Sequence, residues 1–130
     1  MTVRRLAVLQ WVGLLLGAVT WTLAHLAGIG ITQWECNAVG EHWGVSNPWA
    51  EGGVMVVSAS LVAVAGACAV AVFLRTRGTP FGDGPPEGEG RRESRIHFFS
   101  AAALATNAIL FMIIVLDGAA NLADIACRQS

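Results

Sequence analysis

Asp, Glu, Lys and Arg are absent from three long stretches of this chain: 29 residues between Arg5 and Glu35, 23 between Glu51 and Arg75, and 21 between Arg95 and Asp117. A helix rises about 1.5 Å per residue, so roughly 20 uninterrupted apolar residues cross a hydrocarbon core about 30 Å thick. Each stretch passes that test. The runs predict transmembrane helices over 6–31, 53–74 and 96–116, in an all-α membrane protein forming one domain over 1–130. Overall charge agrees: only 13% of residues are charged and 55% are hydrophobic, against roughly 25% charged in soluble proteins. A soluble domain this small needs more charge at its surface, so lipid is the expected solvent. The net charge of −1 excludes a strongly basic nucleic-acid binder.

Arginine placement predicts the orientation. Arg4 and Arg5 precede the first span, and Arg75, Arg77, Arg91, Arg92 and Arg95 lie between the second and third, leaving only Arg128 elsewhere. Three spans put the N-terminus and the 75–95 loop on one side. The excess of arginine there predicts that side to be cytoplasmic, with the C-terminus on the outer face. Arg4 and Arg5 before an apolar run also resemble the start of a signal peptide. The run is nearly twice the usual 7–15-residue h-region and lacks an A-x-A site, so a signal-anchor helix is expected instead.

The connecting segments differ in character. Residues 75–95 contain five glycines and three prolines, which predicts a flexible linker. Its basic ends are expected to meet anionic lipid headgroups. The outer loop, 32–52, carries Trp34, Trp43 and Trp49 with three glutamates and no basic residue. The tryptophans read as interfacial anchors, apolar in the ring and wet at the N–H. Asn47-Pro48 reads as N-cap and first helical residue, so the second helix is expected to begin near Pro48. The outer tail, 117–130, is expected to hold a short helix, or an extension of the third, over 118–127.

The faces of the helices carry the packing signal. Gln10, Gly13, Gly17, Thr20, Ala24 and Ala27 form one small-or-polar stripe on the first helix, with Gly13–Gly17 a GxxxG. In lipid, close backbone approach at small residues drives helix association. On the second helix Ala59, Ala63, Gly66 and Ala67 form a comparable stripe. Further small residues on its other faces predict packing on more than one side. On the third helix Asn107 lies near mid-membrane, where an unpaired amide is costly. An interhelical hydrogen bond is its expected role.

Candidate chemistry is sparse. His25 and His97 differ in depth by most of the bilayer, so they cannot be axial partners of one haem, and His42 lies in the outer loop. Cys68 reads as a small packing residue. Cys36 and Cys127 share the outer, oxidising side, where a disulfide between them is expected. A soft metal site of Cys36, His42 and Cys127 is the alternative. No paired carboxylates, phosphate-binding loop or Ser/His/Asp arrangement is evident. The expectation is a non-enzymatic protein without cofactor or bound metal.

Trp21-Thr22-Leu23-Ala24-His25, then Trp34-Glu35-Cys36, and finally Asp124-Ile125-Ala126-Cys127 resemble segments of a group of small bacterial membrane proteins. These are the uncharacterised three-helix proteins associated with haem–copper cytochrome c oxidases. The chain departs from their more typical Pro-Cys ending, having Ala126 before Cys127. The resemblance implies a multi-pass protein of the bacterial inner membrane. It also implies an accessory subunit or assembly factor of a respiratory complex, with Cys36 and Cys127 paired. Its partners would be lipids and the larger subunits of that complex. A small oligomeric channel or transporter built on the GxxxG face is the other alternative.

Overall fold

The computed structural model describes residues 3–35, 48–78 and 89–123. They form three helices: α1 over Val3–Glu35, α2 over Pro48–Thr76 and α3 over Glu89–Ala123. All three are long and apolar enough to cross a membrane. At about 1.5 Å per residue each exceeds a hydrocarbon core of about 30 Å, leaving a turn or more at the ends for the polar boundary.

Each helix outruns its charge-free stretch. The last turn of α1 takes in Thr32–Glu35, expected as loop, and α3 continues unbroken to Ala123. The largest correction is at the start of α3, because 89–95 is helical rather than linker. Glu-Gly-Arg-Arg-Glu-Ser-Arg contains no proline and four straight-chain residues with good helix propensity besides its first glutamate. Extending an existing helix through such residues avoids a new nucleation step. Proline-rich 79–88 lies outside the described residues. α2 begins at Pro48, whose fixed φ and missing N–H suit a first helical position.

The helices run up, down and up, each touching the other two. Leu6 of α1, Val72 of α2 and Ile96 of α3 form an apolar cluster at the end where α2 finishes and α3 begins. At the opposite end, where α1 finishes and α2 begins, Met55 of α2 lies against Gly118 of α3. Buried positions repeat at alternating intervals of three and four: Leu6, Gln10, Gly13, Gly17 and Thr20 on α1; Ser58, Val62, Ala65, Ala69, Val72 and Thr76 on α2; Ile96, Ser100, Ala103 and Asn107 on α3, where Ser94 and His97 are buried as well and Ile114 follows two turns on. A 3.5-residue seam winds helices about one another in a left-handed sense.

Polarity is turned inside out relative to a protein in water. Gln10, Thr20, Ser58, Ser100 and Asn107 are buried, while Leu23, Leu26, Val57, Ile109 and Leu116 are each about 60% exposed. An apolar exterior this extensive would drive aggregation in water and is solvated by lipid. Two exposed hydroxyls on it are satisfied within their own helix: Thr22 donates to the Ala18 carbonyl at 2.9 Å and Ser60 to that of Val56 at 2.7 Å.

α1 packs tightly on α2 at Gly13. A Cβ there would lie 3.2 Å from the Ala65 carbonyl oxygen and 3.3 Å from the Ala69 Cβ. Gly13→Ala is therefore expected to cost about 1 kcal/mol and Gly13→Leu at least twice that, by forcing the helices apart and forfeiting dispersion contacts. Reversible unfolding in mixed micelles checks both. Equal stability of Gly13→Leu and the parent chain would contradict this packing.

Candidate functional site: a buried amide at the three-helix seam

Asn107 is 3% exposed and lies near the middle of α3, where all three helices meet. Its Nδ2 donates to the Gly13 carbonyl of α1 at 2.6 Å and to the Ala103 carbonyl of its own helix at 2.8 Å. Both amide protons are thus satisfied where water is scarce. Oδ1 is buried and receives no N–H or O–H. It faces Gly17 instead, where a Cβ would overlap Oδ1 and lie 3.1 Å from the amide carbon. The direction of that missing Cβ is the direction of one Gly17 Cα–H bond. The oxygen therefore meets a weak Cα–H donor, a contact common where helices approach closely. The GxxxG works as a pair: Gly13 supplies a carbonyl and Gly17 the room for the amide that binds it.

The other sequence candidates fall on different sides of this seam. On α1, Gln10, Gly13, Gly17 and Thr20 are buried, and Ala24 and Ala27 are half-buried. On α2 the expected stripe is one residue out of register. Ala63 and Ala67 are exposed, Ala59 and Gly66 are half-buried, and the seam runs through Ser58, Val62, Ala65 and Ala69. A shift of one residue turns a helix by about 100°. The internal seam also holds Val62 and Val72, so small size alone does not mark the side of α2 that faces its own bundle. Gly66 touches the Asn107 Cβ side, with 3.9 Å from its would-be Cβ, so alanine fits there.

Trp34 and Trp49 project from the ends of α1 and α2, 62% and 89% exposed. Trp43, Cys36, His42 and Cys127 lie outside the described residues, as do both expectations that rest on the two cysteines. Cys68 is free and half-buried. Among the described residues no group of three His, Cys, Asp or Glu side chains is placed to hold a metal ion.

The two described histidines sit in contrasting places. His25 is exposed and stacks on Trp21, one turn away, with ring centroids 5.6 Å apart. His97 is 3% exposed, stacked against Phe73 of α2 at 4.7 Å. The Thr76 hydroxyl donates to the Val72 carbonyl at 2.9 Å and lies 2.9 Å from His97 Nδ1. Sequence reading missed this pairing. Its one legible trace is that Thr76 continues the 58–62–65–69–72 spacing beyond the apolar run.

The chain matches no known protein family, no curated protein and no solved structure. The arrangement therefore has to be tested on its own geometry. Gly17→Ala should destabilise the protein by about 1–3 kcal/mol by overlapping Oδ1. In an Asn107→Ala background most of that penalty should vanish, because the obstructing oxygen is gone. A double-mutant cycle measures the coupling. Strictly additive effects would refute a direct Gly17–Asn107 contact.

Proposed function

We propose that this chain is a non-catalytic packing subunit or assembly factor of a larger membrane complex. A respiratory complex of the bacterial inner membrane is the partner that the sequence resemblance implies. Arginine asymmetry supports an N-terminus in the cytoplasm and a C-terminus outside.

One observation carries the reading. Outside the seam, α2 presents Ser60, Ala63, Ala67 and Ala71 on its exposed side, at helical spacing. Fluid lipid chains gain little from a shallow surface of this kind, whereas another helix can approach its backbone closely and gain dispersion contact along its length. α2 is the shortest of the three helices and carries small residues on both its internal and external faces. It is suited to lie between the bundle and a neighbour. The GxxxG face is occupied within the chain by Asn107, Ala65 and Ala69. A channel assembled on that face would first have to take the bundle apart.

Purification in mild detergent is expected to recover the chain with larger haem- or quinone-bearing subunits. Ala63→Leu/Ala67→Leu, on the exposed face, should leave helix content and thermal stability close to those of the parent while reducing partner recovery about fivefold or more. Undiminished recovery would rule out this face as the contact, and isolation of the parent chain as a lone monomer would refute the subunit reading. A C-terminal reporter active only outside the cytoplasm tests the orientation independently.

A further inference from the structure

Met55 ties α2 to α3 at the end of the bundle where α1 finishes and α2 begins. A Cβ added to Gly118 of α3 would overlap the Met55 Sδ and Cγ and lie 3.1 Å from the Met55 Cβ. The thioether thus fills the space that any side chain at 118 would need. A flexible, polarisable side chain is well suited to such a notch. Ser58 and Ile114, one turn deeper on the two helices, are both buried. The Met55–Gly118 contact therefore lies at the edge of the buried α2–α3 seam.

Met55 is only half-buried. It lines a crevice of about 350 Å³ at this end of the bundle, together with Gly118 and the carboxylates of Glu51 and Asp117. Carboxylates belong in the hydrated boundary rather than in hydrocarbon, so water and the small solutes dissolved in it reach this wall. Met112, by contrast, is 57% exposed on the apolar exterior.

We propose that Met55 is an oxidation-sensitive latch between α2 and α3, opened by a peroxide. A sulfur lone pair attacks one peroxide oxygen and the O–O bond breaks. The proton on the transferred oxygen passes to the departing hydroxide, leaving a sulfoxide and water. Sulfur is oxidised by two electrons and the peroxide is reduced by two. An oxygen added on the Gly118 side has no room, and the polar sulfoxide is better solvated in the crevice. The side chain swings outward, the notch at Gly118 empties, and this end of α3 loosens from α2. Methionine sulfoxide reductases return a sulfoxide to the thioether, so the change is reversible. The latch is independent of the packing role proposed above and stands or falls separately.

Hydrogen peroxide treatment of the full chain in maltoside micelles tests it, with Met112→Leu in every sample to remove the competing thioether. Peptide mass spectrometry follows oxidation at Met55, against free methionine in the same solution. Met55 is expected to oxidise, and the unfolding temperature to fall by at least about 3 °C. Met55→Leu, a swap of similar volume, should keep the starting stability and lose none of it to peroxide. Gly118→Ala should displace the thioether, so that Met55 oxidises severalfold faster and oxidation costs less further stability. Four results would each overturn the proposal. They are an intact Met55 when the free methionine is fully converted, an oxidised Met55 with an unchanged unfolding temperature, an equal fall in the Met55→Leu chain, and an undiminished fall in Gly118→Ala.

Discussion

The bundle depends on one polar contact in a place where polar groups are costly. Apolar helices in lipid gain little by exchanging lipid contacts for one another, so many pairings of three such helices would be close in energy. Asn107 removes that degeneracy. Its amide reaches Gly13 only if α1 and α3 are in register, and it fits only if residue 17 lacks a side chain. A slip of one heptad along α1 would bring Thr20 and Ala24, or Leu6 and Gln10, to the places of Gly13 and Gly17. Ala24 or Gln10 would then put a Cβ in the path of the amide, and Thr20 or Leu6 would put one against Ala65 and Ala69. A single polar residue in an apolar seam selects register in soluble coiled coils by the same logic. The hydrogen bond itself contributes only about 0.6–2 kcal/mol in a membrane; its larger effect is to make the alternatives worse.

The rest of the interior follows from that register. With α1 and α3 held close at Gly13 and Asn107, α2 must present small side chains at the same depth, and Ala65 and Ala69 do so. Further from the amide the seam accepts larger residues: Val62 and Val72 on α2, Leu6 and Ile96 toward one end, Ile114 toward the other. The seam is lined by small residues around Gly13 and by larger ones toward Leu6, Val72 and Ile96. Thr76, just past the second charge-free run, and His97, at the start of the third, continue it with a hydrogen-bond-length contact and a ring stack of His97 on Phe73.

Much of this was legible in the sequence because lipid imposes simple rules. The absence of charge located three helices, the stripe on α1 located the face that is buried, and an amide isolated in an apolar run pointed to an interhelical bond. Boundaries were less legible, since charged residues such as Arg91, Arg92 and Glu93 end a hydrophobic run without ending a helix. Which side of α2 faces its own bundle was not legible for a different reason. Small residues occur on several sides of that helix, and composition does not distinguish a surface that meets its own bundle from one that does not. The Thr76–His97 pair was hidden because it depends on the register between two helices, which no local pattern encodes.

That ambiguity of α2 bears on what the protein is for. α1 covers most of its outer side with large apolar residues such as Leu15, Val19, Leu23 and Leu26, with Ala18 and Thr22 between them. α2 carries valines outside as well, but interleaves them with Ser60, Ala63, Ala67 and Ala71. Each such residue sacrifices contact with lipid, and within the three-helix bundle it gains nothing in return. The arrangement makes physical sense if a further helix lies there, approaching as closely as α1 approaches at Gly13. On this view the amide and the GxxxG hold the three helices as one rigid piece, and rigidity is what allows the outer side of α2 to offer a fixed surface to a neighbour.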